Sequence, residues 1–328
     1  MRGKRIAQWI LTIIIAAGLI YGEGFIQQLF AEKTPLTVYA PDDMKDAFKS
    51  ALSNSSLSSQ YKIVMTDKET GADIVVGYGK ENDDSYTQFA FSPFVIAYNS
   101  SDSCFKALKK ALTVVPSEYN NKFYEIDFLK VIDEVIEEGK WDNLGLSEHD
   151  TIRVFYPAKT TVYWHDFYNF MLVTVNGGAY PKTEDEMTKA VEKIDLFEKS
   201  SCTEAVTNFD EKIERTSGFS ENTLYVIPEK TVYDLANGHD EKTRLFFPLA
   251  TVNFNYYVKG VSENGEIVTS SFPDKFYSKL EYKDYRNKNA YELGDDYSLV
   301  YDERDVYQTI EIPKKNFFTG NYSVGEKN

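Results

Sequence analysis

Three short runs in the first third of the chain constrain its fold more than anything else. Leu36–Ala40 (LTVYA), Tyr61–Met65 (YKIVM) and Ala72–Val76 (ADIVV) are nearly continuous in apolar side chains rather than alternating. A strand with one wet face alternates, whereas a strand covered on both faces does not. Between the first two runs, Pro41-Asp42-Asp43 opens a stretch in which Met44, Ala47, Phe48, Ala51 and Leu52 recur at helical spacing. Proline suits a helix entrance and aspartate suits its cap. A polar loop, Asn54–Ser59, separates this helix from the second run. A fourth run, Phe89–Tyr98 (FAFSPFVIAY), is longer and bends at Pro93. Strand, helix, strand and strand in this order predict an α/β unit with a mainly parallel sheet.

The pattern then recurs. Cys104–Val115 and Phe128–Glu138 have the helical period, and Ile152–Tyr156 (IRVFY) reads as a strand. The loop Pro157–Val162 leads into a helix over Trp164–Val175, stopped by Gly177-Gly178. Glu184–Ser200 is an amphipathic helix with an acidic first turn capped by Thr183, and Phe209–Gly218 is another helix. Leu224–Ile227 is a strand, Thr231–Asn237 a short helix, and Leu245–Tyr257 a long strand-rich crossing. No repeat of fixed period and no interior Pro/Gly-rich linker separates the two units, so they are expected to pack as two lobes. Two segments cross between them, near Phe89–Tyr98 and Leu245–Tyr257. The expected division is 1–32 as a leader, 33–98 with 250–328 as lobe 1, and 99–249 as lobe 2.

The leader begins with basic Met1–Arg5 and continues as a 16-residue apolar run, Ile6–Tyr21, interrupted only by Gln8 and Thr12. A basic flank before an apolar run orients the N-terminus to the cytoplasm. The run sits between the length of a signal-peptide core and that of a membrane span. The reading adopted is an N-terminal transmembrane signal-anchor: a single pass, with the body outside the cytoplasm at the cell membrane. Cleavage near Gly22/Gly24 or Ala16/Gly18 is the alternative and would leave a secreted body.

Charge narrows the partners. The chain carries −15 overall, and the residues beyond the first thirty carry −17. So acidic a body repels nucleic-acid backbones and anionic lipid. The chain contains none of GxSxG, GxxxxGK[ST] or HExxH, so no catalytic role is expected. The three histidines, His149, His165 and His239, are scattered, and no metal or cofactor is expected. Cys104 and Cys202 are the two cysteines, and in an exported chain they leave a single disulfide open.

Two α/β lobes joined by two crossings imply a cleft beyond the carboxyl ends of the strands. The loops placed there are Ala40–Asp43, Gly77–Gly79, Ser92-Pro93, Pro157–Val162 and Pro228–Tyr233. In Leu36–Phe48 (LTVYAPDDMKDAF), Ala72–Gly79 (ADIVVGYG), Phe91–Tyr98 (FSPFVIAY) and Gly139–Leu146 (GKWDNLGL), the chain resembles successive blocks of extracellular solute-binding proteins. The resemblance is to the molybdate/sulfate-binding-like branch with the type 2 periplasmic-binding fold. It implies two lobes closing on a small solute, delivered to an ABC-type permease. It also implies ligand contacts in the first loop (Ala40, Pro41, Asp42) and in the loop opening the second lobe (Lys159, Thr160, Thr161). Asp43, Tyr78, Ser92, Trp164 and Tyr233 complete the candidate ligand-binding set. Pro41 has no N–H, and Asp42-Asp43 place negative charge where an anion would dock, so a neutral polar or cationic ligand is expected. A sensory or cell-surface interaction module reusing the same fold is the alternative function.

Overall fold

A computed structural model describes residues 33–79, 83–99, 115–116, 124–137, 153–216, 222–236 and 243–270. The first half opens with Thr34–Tyr39 (β1), Asp42–Ser53 (α1), Tyr61–Thr66 (β2) and Ile74–Gly77 (β3). The 13-residue strand Thr87–Asn99 (β4) follows. The second half holds Val115–Pro116 (β5), Tyr124–Ile126 (β6), Phe128–Ile136 (α2), Arg153–Pro157 (β7), Trp164–Val175 (α3) and Glu184–Lys199 (α4). It continues through Thr203–Val206 (β8), Phe209–Thr216 (α5), Thr223–Pro228 (β9), Glu229–Ala236 (α6) and Thr243–Pro248 (β10). Asn253–Gly260 (β11) and Glu263–Ser270 (α7) return to the first half.

The strands form a mixed α/β sheet whose two halves share β4. One half has the order β2-β1-β3-β11-β4, in which β11 runs antiparallel to both neighbours while β1, β2 and β3 are parallel. The other half has the order β8-β7-β9-β4-β10, with β4 now the antiparallel member among parallel strands. Each half is therefore built alike, with the strand from the other half's crossing inserted next to its third strand. Pro93 marks the change. It is the last residue of β4 paired with β11, opposite Asn253, and Phe94 begins pairing with β9 opposite Pro228. Proline cannot donate to a ladder, which fits the point where one ladder ends and another starts.

Core packing follows from the continuous apolar runs. Leu36, Val38, Ile74 and Val76 are fully buried together with Met44, Phe48 and Leu52 of α1. In the second half, Phe94 lies 6.3 Å from Phe167 and 5.8 Å from Phe170, both on α3, and Tyr156 stacks on Phe167 at 5.3 Å. Helix α3 has the bounds its periodicity predicts, and it ends where Gly177 and Gly178 take φ of +73° and +92°. Thr183 caps α4 in a reciprocal capping box with Glu186.

Five expectations need correction. Of the first three strands only β3 is buried on both faces, because β2 is the edge strand, with Val64 exposed, and β1 beside it alternates in burial. The crossing Leu245–Tyr257 is broken, since β10 ends at Pro248, where it leaves β4, and β11 begins at Asn253. Val115 lies in the short strand β5 rather than at a helix end, because it pairs with Glu125 of β6. Residues 56–59, read as plain loop, form a 3-10 turn capped by the Ser55 hydroxyl. Tyr233 is not in a loop, because β9 runs straight into α6, which carries it. The leader, Cys104, Gly139–Leu146 and the segment after residue 270 lie outside the described residues. Among the described residues, no helix is long and apolar enough to cross a membrane. Cys202 is a free, buried thiol.

Candidate functional site

Strand direction brings the candidate loops to one edge. β1, β2 and β3 end at Tyr39, Thr66 and Gly77, on the same side as the Pro93–Asn253 pair. In the other half, β6, β7, β8, β9 and β10 all run against β4 and end at the Phe94 level. The C-terminal ends of both halves thus face the same junction, as open α/β sheets require for ligand sites. Helices α1, α2, α3, α5 and α6 each start from a strand end at this edge.

The junction is tied across the two crossings. The Lys230 N–H donates to Ser92 Oγ at 2.8 Å, and Thr251 Oγ1 donates to the Phe94 carbonyl at 2.7 Å. The Phe94 N–H donates to the Val252 carbonyl, and the Leu249 N–H to that of Ile126. Ser92, Lys230 and Thr251 are buried, so these bonds form away from water and their loss would be costly.

Above this floor stands an aromatic group. Tyr78 follows β3 in the first half, and its ring lies 4.9 Å from that of Phe254 on β11 and 5.6 Å from that of Tyr256. Tyr163, from the loop before α3 in the second half, meets the same Phe254 edge-on at 4.9 Å. One fully buried ring is therefore touched from both halves, and its two half-buried neighbours border the junction. The sequence reading included Tyr78 but not Phe254 or Asn253. The available signal was the alternation in Asn253-Phe254-Asn255-Tyr256, which buries Phe254 and Tyr256 while leaving the asparagines half-buried.

The remaining candidates separate by environment. Ala40 is buried at the end of β1 and Asp42 is exposed at the start of α1, whose N-cap position is Pro41. Nothing is described of the Asp43 and Tyr233 side chains. Thr160 is exposed, while Thr161 turns inward and donates from its hydroxyl to the Ala158 carbonyl. Trp164 is buried, its ring against those of Phe167 and Tyr168. The Lys159 side chain is largely exposed, and its ammonium is 3.1 Å from Glu198 of α4 and lies over the Trp164 ring.

Two titratable groups near the edge are shifted by burial. The Tyr156 hydroxyl is pushed up to about 12, first by burial and then by the Glu198 carboxylate. Burial also raises the Asp166 carboxyl in the first turn of α3, while His165, 3.3 Å away, pulls it back. Among the described residues, no group of His, Cys, Asp and Glu has a metal-holding arrangement.

No family model matches the chain. No curated protein matches it either. Among solved structures, a point variant of the OxyR2 regulatory domain from Vibrio vulnificus aligns with a TM-score of 0.41 at 8% identity, covering 73% of this chain and 92% of that one. A second variant of the same domain gives 0.38 at 11%, with the same coverage. A probable transcriptional regulator from Pseudomonas aeruginosa gives 0.35 at 11%, covering 80% of this chain and 76% of that one. All three TM-scores lie below 0.5, and the fold description stands on the strand pairings.

Proposed function

We propose that this chain is a non-catalytic ligand-binding protein of the type 2 periplasmic-binding kind, whose two halves close on a small solute at the Pro93–Asn253 junction. The observation that carries this reading is the convergence of the strand ends of both halves on one edge, bridged among the described residues by the two crossings. A fold of this kind hinges where its crossing strands change partner, so closing the junction buries whatever lies between the facing loops. Residues 6–21 anchor the chain in the membrane and hold the body outside the cytoplasm. The occupied form presents a composite surface to an ABC-type permease, and to a signalling partner in the sensory alternative.

The reading is tested by small-angle scattering and calorimetry on the full chain against a panel of oxyanions, amino acids, polyamines and sugars. Binding of one class with a measurable compaction is the expected result. Absence of both across the panel would remove the reading. Co-purification with a permease separates delivery from sensing.

A further inference from the structure

Phe254 pairs with Ser92 on the first-half side of the point where β4 changes partner, and Phe94 lies just beyond it on the second-half side. Residues directly opposite in a ladder share a face, and so do residues two apart on one strand. Phe254, Ser92 and Phe94 therefore project to the same side of the sheet. Helix α3 covers that side. Its Phe167 and Phe170 meet Phe94, and Tyr163, at its N-cap position, meets Phe254 edge-on at 4.9 Å. One helix thus touches a ring on each side of the partner change.

The two contacts differ in what they join. Phe94 pairs with β9 and belongs to the same half as α3. Phe254 is held in the first half, by its ladder to β4 and by the Tyr78 and Tyr256 rings. Tyr163 is held in the second half by a chain of bonds. The Ala158 N–H donates to the Val206 carbonyl of β8, and the Thr161 N–H and hydroxyl both donate to the Ala158 carbonyl. The Trp164 N–H donates to the Thr161 carbonyl, and the Phe167 N–H to that of Tyr163. Turning one half against the other about Pro93–Asn253 would part Tyr163 from Phe254 while leaving Phe167 and Phe170 on Phe94.

We propose that Tyr163 is a built-in latch, whose ring on Phe254 holds the two halves closed before any solute arrives. An edge-on ring pair biases a two-state equilibrium by about twofold to tenfold. A bias of that size favours closure without locking it. The inference rests on the hinge of the binding reading above and names what keeps that hinge shut.

The test is amide hydrogen exchange on the solute-free full chain, read at four amides. Two are bonded at the junction, Lys230 N–H to Ser92 Oγ and Phe94 N–H to the Val252 carbonyl. Two are bonded within one half, Asp73 N–H to the Thr37 carbonyl and Val154 N–H to the Cys202 carbonyl. Tyr163→Leu is expected to speed exchange at the junction pair about twofold to tenfold and to leave the other pair unchanged. Tyr163→Phe keeps the ring and should match the parent. Tyr78→Leu, which loses ring contacts within the first half, should leave the junction pair at the parent rate. Equal acceleration of all four amides would make Tyr163 an ordinary packing residue and overturn the latch. Unchanged junction amides, or a Tyr78→Leu effect as large as that of Tyr163→Leu, would overturn it too. If Tyr163→Leu does not fold, Phe254→Leu removes the same contact from the other side and is held to the same four amides. No solute enters the measurement, so failure of the latch leaves the binding reading to its own solute panel.

Discussion

Thr251 donates its hydroxyl to the Phe94 carbonyl at 2.7 Å, joining the two crossing strands where β4 changes partner. The bond is buried, and the Lys230 N–H to Ser92 Oγ bond forms one residue beyond Pro93 on the other side. Thr251→Val keeps the shape and leaves the Phe94 carbonyl short of a donor, so stability should fall by about 1–3 kcal/mol. Ser92→Ala should cost a similar amount by orphaning the Lys230 N–H. Urea denaturation measures both. If the junction is the hinge, the double variant should also widen the free protein in scattering, which a purely local defect would not do.

Gly265 and Gly71 separate two reasons for a glycine. A Cβ on Gly265 would lie 1.9 Å from the Asp73 carbonyl oxygen, which also accepts from the Val261 N–H. Helix α7 can approach β3 this closely only without a side chain there, and Gly265→Ala must push α7 away. A loss of about 3 kcal/mol or more is expected. Gly71 has open space around it but takes φ of +86°, so Gly71→Ala should cost only about 1–2 kcal/mol of backbone strain. Thermal melts of the two variants should differ in that order.

Asp166 sets an acid-side dependence. Its folded carboxyl titrates above its unfolded value because burial disfavours the charge. The folded protein therefore holds more protons than the unfolded chain between the two values, and stability falls as pH rises from the ordinary carboxyl range through the folded value. Asp166→Asn removes that dependence. It should be more stable than the parent at neutral pH, and the advantage should shrink to nothing below the unfolded carboxyl range. Denaturation midpoints across the acid range measure this, and a constant offset at every pH would show that the amide acts through packing alone.

Apolar runs made the first sheet and the bent crossing legible, although of the first three strands only β3 is buried on both faces, while β1 and the edge strand β2 alternate. Helices α3 and α4 were legible through their caps and periodicity. Strand β8, Thr203–Val206, was not, since four residues with two polar side chains carry no period. Helix α7 was hidden for a different reason: Glu263–Ser270 holds Gly265, a poor helix former kept there by contact with Asp73. At the site, the loops could be placed from topology, but the direction of each side chain could not. Ser92 turned out to be a buried acceptor for backbone, and Phe254 became the shared ring only once β11 lay beside β4. Such long-range neighbours leave no local trace in the chain.

Lys159 gives the sharpest contrast between loop position and side-chain direction. The resemblance implied a ligand donor, whereas the ammonium is engaged by Glu198 on α4 and lies over Trp164. Glu198 is mostly buried and its Oε1 accepts no hydrogen bond from any described residue, so among these Lys159 is the carboxylate's main compensation. Lys159→Met should therefore cost about 1 kcal/mol of stability, the scale of a partly exposed pair with one desolvated partner. It should leave solute affinity within about twofold, because the ammonium is already paired with Glu198. Calorimetry with whichever solute of the panel binds and a urea titration on the same preparation separate the two effects. A tenfold change in affinity with stability unchanged would return Lys159 to the site.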